Sequence, residues 1–151
     1  METATENLQL KHAKLEDLPL IKDLLLKENL PASDIVMDII HIFLFYDKKN
    51  LVGMTGLENF REHGLLRSVV VVDEFKGKGK GKTMCMLTME KALEMGVEEL
   101  YLLTETAEDF FKSQGFETVN KEEAPGFIKS TTEFKNLCPA SAAFMRKNLL
   151  S

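Results

Sequence analysis

The chain lacks the residues on which several classes of protein depend. Its 151 residues include two cysteines, Cys85 and Cys138, whose placement forms neither a zinc pattern nor a disulfide framework. No apolar run approaches the length of about 20 residues that a membrane-spanning helix needs. There is no internal repeat, no low-complexity tract and no linker. The N-terminal METATENLQL has no apolar core of the signal-peptide kind, so a cytoplasmic location is expected. Positive charge is scarce as well: 19 Lys and Arg against 24 Asp and Glu leave a net charge of −5. That balance argues against general nucleic-acid binding and gives no basis for a membrane-surface partner. The three histidines, His12, His41 and His63, show no partner pattern and are expected at the surface, His63 alone near an opening. What remains, 44% hydrophobic and 28% charged residues, is the composition of an ordinary globular protein. One domain over residues 1–151 is expected, burying about two-thirds of its unfolded surface.

The scarce basic residues are concentrated in one place. Leu65–Lys82 reads LLRSVVVVDEFKGKGKGK: a run of strand-formers, then glycines at 77, 79 and 81 alternating with Lys76, Lys78, Lys80 and Lys82, then a helical pattern from Thr83. Strand, glycine-rich turn and helix N-terminus together make a phosphate cradle, because glycine lets the backbone approach an anion and the first helical N–H groups point at it. Spacing discriminates among such cradles. A Walker loop would need glycine where Lys76 stands, and a dinucleotide fingerprint would need one at Lys82 or Met84. The pattern that fits is [QR]-x-x-G-x-[GA], with lysine at its first position: Lys76-x-x-Gly79-x-Gly81.

Elsewhere, periodicity predicts strands at Leu8–Lys14, Ile39–Asp47, Leu51–Leu57, Leu65–Val72, Val97–Leu103, Phe116–Val119 and Ala142–Leu149. It predicts helices at Leu15–Lys27, Thr83–Met95, Thr106–Gln114 and Glu122–Ser130. Asp17 is expected to cap the first helix, with Pro19 in its first turn, and Ser33 or Asp34 to cap a short second one. Residues 65–103, strand–helix–strand, must cross over in parallel. Cys85 falls in an apolar helix as a small hydrophobe.

The glycine loop, in its strand–helix context, resembles motif A of the GNAT superfamily of N-acetyltransferases, and Asp73–Gly77 resembles that superfamily's hPxyRG turn. Ala107–Phe116 is similar to motif B, N-x-x-A-x-x-[LF]-Y-x-x-x-G-F, with Thr104 at the asparagine position and Phe111 at the tyrosine, often the general acid. Gly56–Glu58 (GLE), Leu65–Val71 (LLRSVVV), Leu100–Phe111 (LYLLTETAEDFF) and Glu133–Ala142 (EFKNLCPASA) resemble the arsenic-resistance-associated branch, relatives of the acetyltransferase domain of N-acetylglutamate synthase. The resemblance implies an α/β (α+β) GNAT fold: a mixed, mostly antiparallel sheet of six to seven strands with a central parallel, splayed pair, flanked by helices.

It also implies acetyl-CoA as acyl donor, held by the main chain of Val69, Val70 and Val71, by Lys76, Gly77, Lys78, Gly79, Lys80, Gly81, Lys82 and Thr83, and by Thr104 and Phe111. A backbone N–H at Val70 or Val71 is expected to face the thioester carbonyl. Glu58 is a candidate base or else an exposed strand-end carboxylate. Arg67 is a candidate for an acceptor carboxylate, with Glu105, Thr106 and Glu58 beside it, or else a buried ion pair with Glu58 or Glu105. The loop around Asn29, Pro31 and Asp34 would cover the acceptor, and Cys138 would pack nearby without acting as a nucleophile. The implied activity is direct acetyl transfer to the amine of a small amino-acid-like molecule: glutamate, another amino acid, an arsenic-containing analogue or a peptide N-terminus. A non-catalytic acyl-CoA-binding module is the competing reading, and a homodimer is compatible with either.

Overall fold

The computed structural model describes residues 8–28, 40–131, 134–135 and 142–150. The readings made for Ser33, Asn29, Pro31, Asp34 and Cys138 lie outside them. In chain order the elements are β1 (Gln9–His12), α1 (Leu18–Lys27), β2 (Ile40–Asp47), β3 (Asn50–Phe60), β4 (His63–Val71), α2 (Lys80–Glu94), β5 (Glu99–Thr104), α3 (Glu108–Ser113), β6 (Glu117–Val119), α4 (Gly126–Lys129) and β7 (Ala143–Asn148). The strands form one sheet in the order β1-β2-β3-β4-β5-β7-β6. Every neighbouring pair is antiparallel except β4 and β5, which run parallel.

Strand alternation sorts the apolar residues onto two faces. On one, Phe43, Phe45, Leu57, Leu66, Leu100 and Leu102 pack against Met84, Cys85 and Ala92 of α2. On the other, Ile42, Leu44, Met54 and Val70 pack against Ile21, Leu24 and Leu25 of α1. Farther along, Leu65, Tyr101, Leu103 and Phe144 close over Ile128 of α4. A buried hydroxyl contact fastens α2 to the sheet. Thr88 Oγ1 donates to the Met84 carbonyl at 2.7 Å, which leaves Thr55 to donate to Thr88 at 2.8 Å. Cys85 is buried among these groups, and desolvation pushes its thiol up to about 12.

Several boundaries differ from the sequence pattern for local reasons. Asp17 does not cap α1; its carboxylate accepts the backbone N–H of Lys14 at 2.9 Å and closes a preceding 3-10 turn, Leu15–Asp17. That hydrogen bond holds its carboxyl below the usual carboxylate range. Pro125 splits the helix expected over Glu122–Ser130 into a 3-10 turn, Lys121–Glu123, and α4. β3 runs on to Phe60, so Glu58 lies inside a strand and is buried rather than at an exposed strand end.

Candidate active site

The site is built where β4 leaves β5. The two strands pair only from His63 to Leu65 against Glu99 to Tyr101, then separate, while β5 keeps its other edge on β7 along its whole length. A bulge accompanies the separation. Met54 of β3 faces Val70 and Gly56 faces Arg67, so Thr55 alone stands opposite Ser68 and Val69. The extra residue adds twist and bends β4 away from a regular ladder. Ser68 takes the strain, with φ at +57°, a left-handed conformation that costs a residue with a side chain about 1–2 kcal/mol.

A cleft of about 740 Å³ opens along the separated stretch, from Leu66, Arg67 and Val71 on one wall to Leu102, Thr104 and Phe111 on the other. Along β4 the peptide groups alternate. Val72 donates its N–H to Val52 at 2.7 Å, so Val70 also turns its main chain to β3, and Val71 turns its own toward the cleft. The carbonyl of Val70 approaches β3 so closely that a Cβ on Gly53 would lie 2.1 Å from it. Val70 therefore drops out as an oxyanion donor: its side chain packs toward α1 and its N–H serves the sheet. Val69 and Val71 line the cleft.

The glycine loop forms one mouth. After a 3-10 turn over Asp73–Phe75, Gly77 and Gly79 take φ of +77° and +76°, positions that favour glycine. α2 starts at Lys80, three residues before the sequence pattern suggests. Its first closing bond runs from the Thr83 N–H to the Gly79 carbonyl at 3.5 Å, so the N–H groups of Lys80, Gly81 and Lys82 have no carbonyl within the helix and collect the positive end of its dipole. The lysines divide among themselves. Lys76 donates to Glu28 at 3.2 Å and to Asp73 at 3.0 Å, and these bonds raise its pKa. Lys80 lies 3.9 Å from Asp47. Lys78 sits 5.9 Å from the ring centre of Phe75 and outside the cleft lining, whereas Lys82 lines it. Thr83 is buried within the helix and does not face the cleft, contrary to expectation.

At the inner wall, Arg67 Nη1 donates to Glu58 Oε2 at 2.9 Å, both side chains buried. By register Glu58 stands between Ile40 and Leu65. It does not line the cleft, while Arg67 does. The expected direct base is thus held behind Arg67, and of the two roles open to Arg67 the ion pair is present. Thr104 accepts the Ala107 N–H at 3.0 Å and shapes the turn into α3; Glu105 and Thr106 are exposed on the rim. Phe111, buried, meets Phe110 and Phe116 edge-on at 5.1 and 5.7 Å.

His63 lies at the closed end of the β4–β5 pair, 3.5 Å from Glu99 and edge-on to Phe127 at 5.1 Å, away from the cleft. His12 and His41 are partnered after all: their ring nitrogens lie 3.2 Å apart across β1 and β2. Sequence reasoning missed Ser68, Phe75, Phe110 and Glu28, all at the cleft. Only Ser68 left a signal, as the polar partner of Arg67 inside an apolar strand.

The site is thus a parallel pair splayed over the N-terminus of α2, with a cleft running from that end to a buried polar wall. The pattern of the Acetyltransferase (GNAT) family matches residues 14–116, and the chain belongs to that family. It is 28% identical over 99 residues to an amino-acid acetyltransferase of Vibrio cholerae, a match covering 64% of this chain and 22% of that protein. The chain thus spans about a fifth of the length of that curated relative. In three dimensions it is similar to N-acetylglutamate synthase from Neisseria gonorrhoeae in complex with coenzyme A and N-acetyl-glutamate, with a TM-score of 0.78 at 18% identity over 94% of this chain and 35% of the other. It is also similar to a GNAT-family acetyltransferase from Staphylococcus aureus, with a TM-score of 0.71 at 16% identity, over 94% and 99% of the two chains. Among the described residues no helix is long and apolar enough to cross a membrane.

Proposed function

We propose that this N-acetyltransferase moves the acetyl group of acetyl-CoA to the amine of a small amino-acid-like molecule, directly, with both bound at once. The observation that carries the reading is the unpaired edge of β4. It runs from the lysine-rich mouth, where the N–H groups of Lys80, Gly81 and Lys82 fit a diphosphate, past Val69 and Val71 to Arg67. That run suits a long donor with its charge at one end, a peptide-like arm able to hydrogen-bond a strand, and its reactive group at the other end. The nature of the Vibrio relative and the N-acetyl-glutamate bound by the Neisseria enzyme support an amino-acid-like acceptor.

The donor supplies an activated thioester. The acceptor nitrogen bonds to its carbonyl carbon, the carbon–sulfur bond breaks, and the sulfur departs with the electron pair. Departure needs little help, because a thiol of this kind has a pKa of about 8.5; Phe111, which has no proton to give, lines the cleft instead. An α-amino group with a pKa of about 7.7–8.0 keeps a neutral fraction of roughly a tenth near pH 7, and the proton released as the amide forms can pass to water. Glu58 then serves to hold Arg67, whose guanidinium lies buried behind the inner wall of the cleft and sets a positive charge there that would favour an acceptor carboxylate.

The test is calorimetric titration with acetyl-CoA, then thiol release on adding single amino acids, arsenic-containing analogues and short peptides. Binding followed by release with one acceptor class supports the reading. Binding without release from any of them would favour an acyl-CoA sensor, for which the missing acid at Phe111 is the argument. Failure to bind acetyl-CoA would overturn both.

A further inference from the structure

Among the described residues one buried polar group in the cleft wall has a donor with no acceptor. Ser68 is 6% exposed and lines the cleft. Its Oγ accepts the Nε–H of Arg67 at 3.2 Å. A hydroxyl has one proton to give, and within the described structure the Ser68 proton goes to nothing. Two unfavourable features therefore meet at one residue: a left-handed backbone that glycine would adopt freely, and a buried donor left unmade. Backbone strain of this kind collects at functional sites. Here it lies in the stretch of β4 that has parted from β5, at the bulge opposite Thr55.

We propose that Ser68 O–H is a hydrogen-bond donor to the thioester carbonyl oxygen, completing the oxyanion site that the main chain of β4 begins. The proposal rests on the acetyl-transfer reading. As the acceptor nitrogen bonds to the carbonyl carbon, the carbonyl π electrons gather on oxygen; they return when the carbon–sulfur bond breaks and sulfur leaves with its pair. Ser68 stabilises the gathered charge and transfers no proton, so its pKa need not match the working pH. The Arg67 guanidinium, donating into the same Oγ, draws electron density from it and makes the O–H a stronger donor. Phe111 has no hydroxyl to offer from the opposite wall.

Ser68→Gly tests it, because glycine suits the left-handed backbone while the hydroxymethyl group, and with it the O–H donor, is removed. The variant is expected to fold normally and to bind acetyl-CoA by calorimetry about as the parent does. Its kcat should fall about 10²–10³-fold, the usual loss of one such donor, with the acceptor KM nearly unchanged. Infrared spectra of bound acetyl-CoA carrying a ¹³C-labelled carbonyl give a reading that needs no acceptor. The stretch should lie lower in the parent than in Ser68→Gly, since a hydrogen bond weakens the C=O bond. An identical stretch in both proteins, or an unchanged kcat, overturns the proposal. A rise in acceptor KM alone also overturns it, by showing that Ser68 merely positions Arg67. A parent that fails to bind acetyl-CoA fells the acetyl-transfer reading itself, a result distinct from these.

Discussion

From His63 to Leu65, β4 is hydrogen-bonded on both edges, to β3 and to β5. From Arg67 to Val71 it is bonded on one edge only, and the other faces a cleft. The two stretches are the same strand in the same sheet, both rich in aliphatic residues. What separates them is a single extra residue opposite Thr55, a strained serine, and a buried ion pair. The closed stretch shows what the sequence does by default, which is to bury leucines and complete the ladder. The open stretch shows the cost of a site: a bulge, a charge pair in the interior and an edge left without a partner strand.

Three experiments bear on that contrast. The largest effect is expected at the ion pair. Glu58→Ala leaves the buried Arg67 guanidinium without its carboxylate and should destabilise the fold by about 3–5 kcal/mol in urea unfolding. Replacing both residues, Glu58→Leu with Arg67→Met, should recover most of that loss while abolishing acceptor selectivity. Equal destabilisation by the single and double variants would show that the pair is not what matters. Next comes the contact that holds the open stretch against β3. A methyl at Gly53 would fall 2.1 Å from the Val70 carbonyl and 2.9 Å from Met84 Sδ. Gly53→Ala should cost roughly 3 kcal/mol, near the upper end for overpacking, and should weaken acetyl-CoA binding by shifting β4. A stable variant with normal affinity would mean that β4 holds its place without this contact. The smallest effect is expected far from the cleft, at the β1–β2 edge. Burial and the neighbouring His12 both lower the pKa of His41 from 6.5. The folded protein therefore resists protonating His41 more than the unfolded chain does, and stability should fall as the pH drops through that range. A thermal-unfolding series on the parent and on His41→Gln should show a flatter acid limb in the variant; parallel limbs would exclude the histidine pair as the source.

Much of this was legible beforehand, for identifiable reasons. The dense runs of strand-forming residues in Ile39–Asp47 and Leu65–Val72 specified strands because short, nearly continuous apolar runs suit a sheet covered on both faces. Gly77 and Gly79 marked the loop because their backbone angles favour glycine. What could not be read was contact across the sheet. Nothing local in Glu58 tells whether its carboxylate faces a cleft or an arginine nine residues on. Nothing in Val70 tells which edge its peptide faces, since that depends on where a bulge resets the alternation. Ser68 carried a signal in its polarity, but its left-handed backbone is imposed by neighbours and leaves no trace in the residue type. His12 and His41, 29 positions apart, met through the β1–β2 register alone.

The parted strands also bear on how the protein survives before it is charged with donor. An unpaired stretch of β4 is a strand edge inside a sheet, and exposed edges recruit other strands and promote aggregation. Its position at the bottom of a cleft, walled by Leu102 and Phe111, shields it from another chain while leaving it open to a slender arm. A ligand that lies along that edge binds the folded state alone, and by mass action adds about 2.7 kcal/mol when present at a hundred times its Kd. Under the acetyl-transfer proposal the donor would act as an added strand on this edge, borrowed for the length of a turnover and returned shorter by an acetyl group.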